Sequence, residues 1–209
     1  MKISDLYRIK GFPWITVALA VISFILSCIV CYFIPDRFDM LCLTTRPHYF
    51  WQHITGILIH NIEPQWVMWV HIIMNFMGLI PLGIVVEKVI GSKQTVLLFF
   101  SEAVVTAVCF QMITWNQPGQ AAGISSVGYA FATVGFYCIF LVLKKRETPC
   151  YKQPLFYYFL FEFFGMLSML NPMTSMVSFV LHISGVIVGG IWIFINREIF
   201  TSTAKVCKN

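Results

Sequence analysis

The feature that most constrains this chain is the gathering of its apolar residues into runs of about 16–23, the length that roughly 30 Å of hydrocarbon demands of a helix. Six runs are legible, at 14–33, 66–86, 95–115, 121–143, 155–170 and 178–196. They predict an all-α polytopic membrane protein, because only helices and closed barrels satisfy their backbone polar groups inside lipid. Composition agrees: of 209 residues, 58% are hydrophobic and 11% charged, less than half the ~25% charge of a soluble domain. A water-soluble fold is excluded. The runs use over half the chain, and the longest connection, 35–65, is too short for a substantial second domain. One membrane domain over 1–209 is therefore expected.

A net charge of +5 would suggest nucleic acid in a soluble protein, but in a membrane protein basic residues collect on cytoplasmic loops. Six spans put both termini on one side. With that side cytoplasmic, Lys2, Arg8, Lys10, Lys88, Lys93, Lys144, Lys145, Arg146, Lys152, Arg197, Lys205 and Lys208 fall inside, and only Arg37 and Arg46 fall outside. The expectation is cytoplasmic termini, a bilayer environment and no nucleic-acid partner. The first run exceeds the apolar core of a signal peptide and lacks a small-x-small cleavage pattern, so it reads as an uncleaved anchor. Seven cysteines show no metal-ligand spacing, and their odd number argues against a disulfide framework. Segment 51–60 is apolar but too short to cross, which suits a partly membrane-embedded piece of the first outer loop.

Strongly polar side chains within spans are costly and default to functional hypotheses. Here they are His71, Asn75, Glu102, Ser125, Glu162 and His182. His71, Ser125 and His182 lie near the outer starts of the second, fourth and sixth spans, about five residues inward and so at one depth. Asn75 follows His71 by four, on the same face and one turn deeper. A serine within reach of a neutral histidine is the minimal nucleophile and base for acyl transfer. No Asp or Glu shares that layer, so the pair would be a dyad, with Tyr129 placed to stack on the imidazole and hold its ring. His71, Asn75 and the Ser125 amide are candidate donors to an oxyanion. Gly185 and Gly189 form a G-x-x-x-G that lets helices approach, and Gly128, Ala130 and Ala132 slim the fourth helix to match. Gly123 completes a G-x-S that means little alone. Blander readings stand beside these: an intramembrane histidine is often only a hydrogen-bonded structural residue, and Glu102 and Glu162 suit neutral or paired groups in a bundle interior.

Taken together, these residues resemble the rhomboid intramembrane serine proteases, closest to the six-span bacterial form, over about 51–195. Trp51, Thr55 and His60 resemble the family's first-loop signature, and His71 with Asn75 its His-x-x-x-Asn. Gly83, Glu87, Gly91 and Ser92 resemble its turn into the third span. Gly123, Ser125 and Tyr129 match the nucleophile motif, and His182, Gly185 and Gly189 the base motif. Three positions depart: Ser126 stands where glycine is usual, Gln52 where arginine is usual and Gly56 where a histidine is usual. The resemblance implies a six-transmembrane-helix bundle cleaving transmembrane segments of membrane-protein substrates through Ser125 and His182. It implies an oxyanion held by His71 and Asn75, and no metal or cofactor. It also implies a bacterial cell membrane and a site opening toward the outer face. Two alternatives come from other classes: an inactive rhomboid-like binder of transmembrane clients, and a small transporter relaying protons through Glu102 and Glu162. The fifth span, aromatic on every face, and the loop 171–176 after it are expected to form a lateral gate and lid, with Phe159 and Phe163 against the second span.

Overall fold

The computed structural model describes residues 3–8, 11–60, 64–116, 118–144, 154–169 and 176–200. In chain order its helices are α1 (Ile3–Arg8), α2 (Trp14–Tyr32), α3 (Phe38–Leu41), α4 (Gln52–Leu58), α5 (Gln65–Ile90), α6 (Ser92–Ile113), α7 (Ser125–Lys144), α8 (Pro154–Met169) and α9 (Met176–Ile195). Two short strands, β1 (Leu43–Thr44) and β2 (Gln120–Ala121), pair antiparallel. Five helices, α2, α5, α6, α7 and α9, are long and apolar enough to cross a membrane, and α8 is a shorter apolar one. The all-α polytopic architecture stands. Large side chains such as Ile25, Val104 and Phe194 point outward, as a lipid-facing surface requires and a water-facing one would not tolerate.

The helix ends differ from the sequence expectation where local chemistry intervenes. Helix α5 continues to Ile90 rather than 86 because Glu87 is consumed within the protein: its carboxylate accepts from Ile15 N (3.0 Å), Thr16 N (2.8 Å), Thr16 Oγ1 (3.0 Å) and Ser92 Oγ (2.6 Å). It thereby caps the amino-terminal turn of α2, whose amides lack intrahelical acceptors. Helix α1 packs at the same end, with the Tyr7 hydroxyl donating to Pro81 O (3.0 Å) and Lys88 Nζ donating to Tyr7 O (2.8 Å).

The larger correction is in the fourth span, which starts at Ser125 and not at 121. Gly123 sits at φ +138°, a left-handed conformation that breaks a helix and favours glycine. Residues before it are spent on the β1–β2 pairing instead. Ser125 is therefore the first helical residue, not one lying a turn and a half inside.

The first outer loop is tied down by side chains reaching backbone carbonyls. Trp51 Nε1 donates to Met40 O (3.0 Å) and Thr55 Oγ1 to Leu41 O (2.6 Å). Gln52 donates to Asp39 O and Cys42 O (both 3.0 Å) while accepting from Tyr49 N (3.0 Å), so the residue in place of arginine holds the loop. Gly56 is required by packing: a Cβ there would collide with the backbone of Leu43. Its carbonyl accepts from Gly123 N (3.0 Å), joining the loop to the segment that delivers Ser125.

Candidate active site

Helices α7 and α9 bring Ser125 and His182 together, with His182 Nε2 3.1 Å from Ser125 Oγ. The approach depends on the glycines of α9. A Cβ at Gly185 would collide with Ser126 O and lie 2.9 Å from Tyr129 Cβ; one at Gly189 would lie 2.7 Å from Thr133 Cβ and 2.8 Å from Ala130 O. Gly128 plays no such part, since a Cβ there meets nothing within 4 Å; it lines a groove on the other side of α7. The small residues of α7 that receive α9 are Ser126, Ala130 and Thr133. Tyr129 stacks on His182 with ring centroids 4.4 Å apart and planes inclined by 21°. Its hydroxyl donates to Met166 O on α8 (2.9 Å), which fixes the ring that fixes the imidazole.

Because Ser125 opens a helix, its backbone N–H has no intrahelical acceptor and sits at the positive end of the helix dipole, where an anion is favoured. Across from it stands α5. His71 approaches so near that a Cβ on Gly123 would lie 3.0 Å from its Cε1, so Gly123 is fixed by contact as well as by φ. One turn deeper, Asn75 Nδ2 lies 2.9 Å from His60 Nε2.

His60 extends the site beyond the residues singled out for chemistry. Its backbone N–H donates to Ser27 Oγ (3.1 Å), which donates to Ser23 O (2.8 Å), and its Nδ1 lies 3.1 Å from the same hydroxyl. One assignment satisfies every member: Nδ1–H donates to Ser27 Oγ, and Nε2 accepts from Asn75. Burial, with His71 beside it, pushes the His60 imidazole down to about 3. It is neutral at any physiological pH. The sequence signal for this support is Ser23 and Ser27, hydroxyls one turn apart on one face of the apolar second half of α2.

Two cavities meet at the Ser125–His182 pair. One, of about 760 Å³, is bordered by the first outer loop and the Gln120–Gly123 segment and reaches Ser125, His71 and His182. The other, of about 420 Å³, is an apolar groove between α5 and α8 that reaches the same three residues and is walled by Met74, Gly78, Phe161 and Met166. Phe159 and Phe163 are not in that wall: Phe159 is buried in the core, and Phe163 packs edge-on against Phe136 of α7, with ring centroids 5.4 Å apart. The α8 stripe toward α5 is instead Tyr158, Phe161, Glu162, Gly165 and Met166, at helical spacing. The loop 171–176 lies outside the described residues except for Met176.

Residues 47–199 match the Rhomboid domain family. No curated protein sequence matches the chain. The match covers well over half of the chain, and the protein belongs to the rhomboid family, whose members are typically intramembrane serine proteases acting on transmembrane substrates within the bilayer.

Proposed function

We propose that this chain is an active intramembrane serine endopeptidase that hydrolyses peptide bonds within or beside transmembrane segments of membrane-protein substrates. The observation that carries the reading is the 3.1 Å separation of Ser125 Oγ and His182 Nε2. Its setting adds support, because a protease in lipid needs water and an apolar substrate at one point, and the two cavities converge there.

Ser125 Oγ bonds to the scissile carbonyl carbon while its proton passes to His182 Nε2. The carbonyl oxygen takes up the electron pair and is held by the Ser125 amide, His71 and the Asn75 N–H not engaged by His60. Collapse breaks the C–N bond, and His182 returns the proton to the leaving amine. Water, deprotonated by the same imidazole, then releases the acyl group. Tyr129 keeps the ring in plane for both transfers. The helical substrate reaches Ser125 through the α5–α8 groove and unwinds there, since helical carbonyls are already hydrogen-bonded. The imbalance of Lys and Arg between loops supports cytoplasmic termini and a site opening to the outer face, and the resemblance to the six-span bacterial form supports a bacterial cell membrane.

The test is labelling of the purified protein by a fluorophosphonate, together with cleavage of a generic single-span substrate in detergent. Both should occur in the parent and vanish in Ser125→Ala and in His182→Ala, with the fold retained. Cleavage persisting in Ser125→Ala after removal of contaminating proteases would refute the assignment. A well-folded parent that neither labels nor cleaves would favour the inactive client binder.

A further inference from the structure

Below the Ser125–His182 pair, α6 contributes a carboxyl group that the proposed chemistry does not use. Glu102 is fully buried. Its Oε1 lies 2.6 Å from Thr106 Oγ1 on its own helix and 3.1 Å from Ser184 Oγ on α9. The Ser126 hydroxyl on α7 also bears on this carboxyl, yet the contact stops short of hydrogen-bond geometry: among the described residues, Glu102 Oε2 and Ser126 Oγ are both buried without a partner. Two adjacent buried polar atoms, each lacking a partner, satisfy one another by a small side-chain rotation, and burial makes leaving them apart costly. The positions add meaning. Ser126 directly follows the nucleophile, and Ser184 follows His182 by two.

We propose that Glu102 is a positioning residue for the Ser125–His182 pair, clamping the first turn of α7 and the adjoining turn of α9 to α6 through Ser126 and Ser184. Ser126 places a hydroxyl beside the nucleophile where the family usually has glycine, and the clamp gives that hydroxyl a use. With the Glu102 carboxyl present, the Ser126 hydroxyl has an acceptor inside the bundle; without it, a buried hydroxyl beside the nucleophile is left with none. Glutamate and serine are thus a matched pair. Glutamine, which offers both donor and acceptor on the same stem, preserves the clamp, whereas alanine leaves the hydroxyls of Thr106, Ser126 and Ser184 around an empty space.

This inference rests on the protease reading, and the experiment separates their failures. The rate of fluorophosphonate labelling at Ser125 and the kcat and KM for a single-span substrate are compared in the parent, Glu102→Gln, Glu102→Ala, Ser126→Gly and Glu102→Ala/Ser126→Gly. Displacement of a catalytic pair by a fraction of an ångström costs about 10–100-fold in rate, so Glu102→Ala should lose that much in labelling and kcat with KM little changed. Glu102→Gln should stay within about threefold of the parent. Ser126→Gly, which severs one arm, should lose part of that rate, and adding it to Glu102→Ala should cost little beyond Glu102→Ala alone, because the two changes act through one contact. Labelling of the parent with equal labelling of Glu102→Ala overturns this inference and leaves the protease reading intact; a parent that does not label overturns the reading first. Should Glu102→Ala fail to fold, Ser184→Ala takes its place as the severed arm of the clamp, and an unchanged kcat there likewise overturns it.

Discussion

Between α7 and α9 the backbones come so close that a single added carbon at Gly185 or Gly189 has nowhere to go, whereas between α5 and α8 a Cβ on Gly78 would find only Met166 Cε at 3.5 Å and Glu162 Oε2 at 3.6 Å. The first seam holds the proposed nucleophile and base; the second holds an apolar groove. Lipid supplies no hydrophobic force between helices, so the closeness of a seam is set by side-chain size. The same bundle thus joins the groups that must not move and leaves loose the side through which a substrate helix would pass. His71 and Asn75 stand on the loose seam. They need support from elsewhere, and the Ser27–His60–Asn75 chain reaches them from α2 and the first outer loop.

The largest expected effect comes from forcing the tight seam apart. Gly185→Val should abolish cleavage, by about 10³-fold or more, because a dyad held beyond hydrogen-bond reach fails as a unit. The matching change on the loose seam, Gly165→Ala, meets no atom within 4 Å. It should keep activity and raise thermal stability, alanine being about 1 kcal/mol better than glycine in a helix. Comparable rates in the two variants would erase the contrast.

The next effect probes the supported donors. Asn75→Ala should cost about 10²–10³ in kcat, the usual loss for one oxyanion donor. His60→Leu leaves Asn75 in place but unheld, and a misplaced donor should cost about 10-fold. His60 also makes an acid-stability prediction. The unfolded imidazole takes up a proton below its ordinary 6.5, while the folded one refuses it down to about 3. Its contribution is therefore present above pH 6.5 and is lost as pH falls toward 3, on the order of 1 kcal/mol per unit. Thermal melts at pH 7.5 and 5.5 should show a smaller acid loss in His60→Leu than in the parent. Identical pH dependence would place the buried titration elsewhere.

How far these features could be read from sequence varies with their physical origin. The spans, the Ser125–His182 pairing and the G-x-x-x-G beneath it follow from periodicity and residue size, which are local. The start of α7 was misjudged because apolar 121–124 looks helical until Gly123 adopts a positive φ and β1 claims the segment before it. The Ser125 amide is a candidate donor from sequence alone, and the later helix start adds the reason it lacks an intrahelical acceptor. His60 was legible as part of a motif but not as the holder of Asn75, since the contact joins residues from three separate segments. Phe159 and Phe163 were set on the wrong side of α8 because a helix aromatic all round carries no moment to orient it. The groove-facing stripe emerged only from packing.

The smallest effect concerns what keeps the loose seam closed at rest. Pro81 lies inside α5, and lacking an N–H it leaves the carbonyl four residues earlier, that of Met77, without its helical donor. The Tyr158 hydroxyl of α8 fills the vacancy, donating to Met77 O at 2.6 Å. This hydrogen bond crosses the seam, and it exists because of a proline on the opposite helix. Hydrogen bonds between membrane helices average ~0.6 kcal/mol, so Tyr158→Phe should speed cleavage of a transmembrane substrate about threefold where opening limits the rate. Labelling by a small fluorophosphonate, which needs no opening, should be unchanged. Pro81→Ala restores a helical donor to Met77 O and should weaken the same crossing bond, giving the same acceleration by a different route. Because both variants act on one bond, the double variant should be no faster than either alone. Additive gains, or equal acceleration of transmembrane cleavage and small-molecule labelling, would mean that the bond does not restrain the α5–α8 groove.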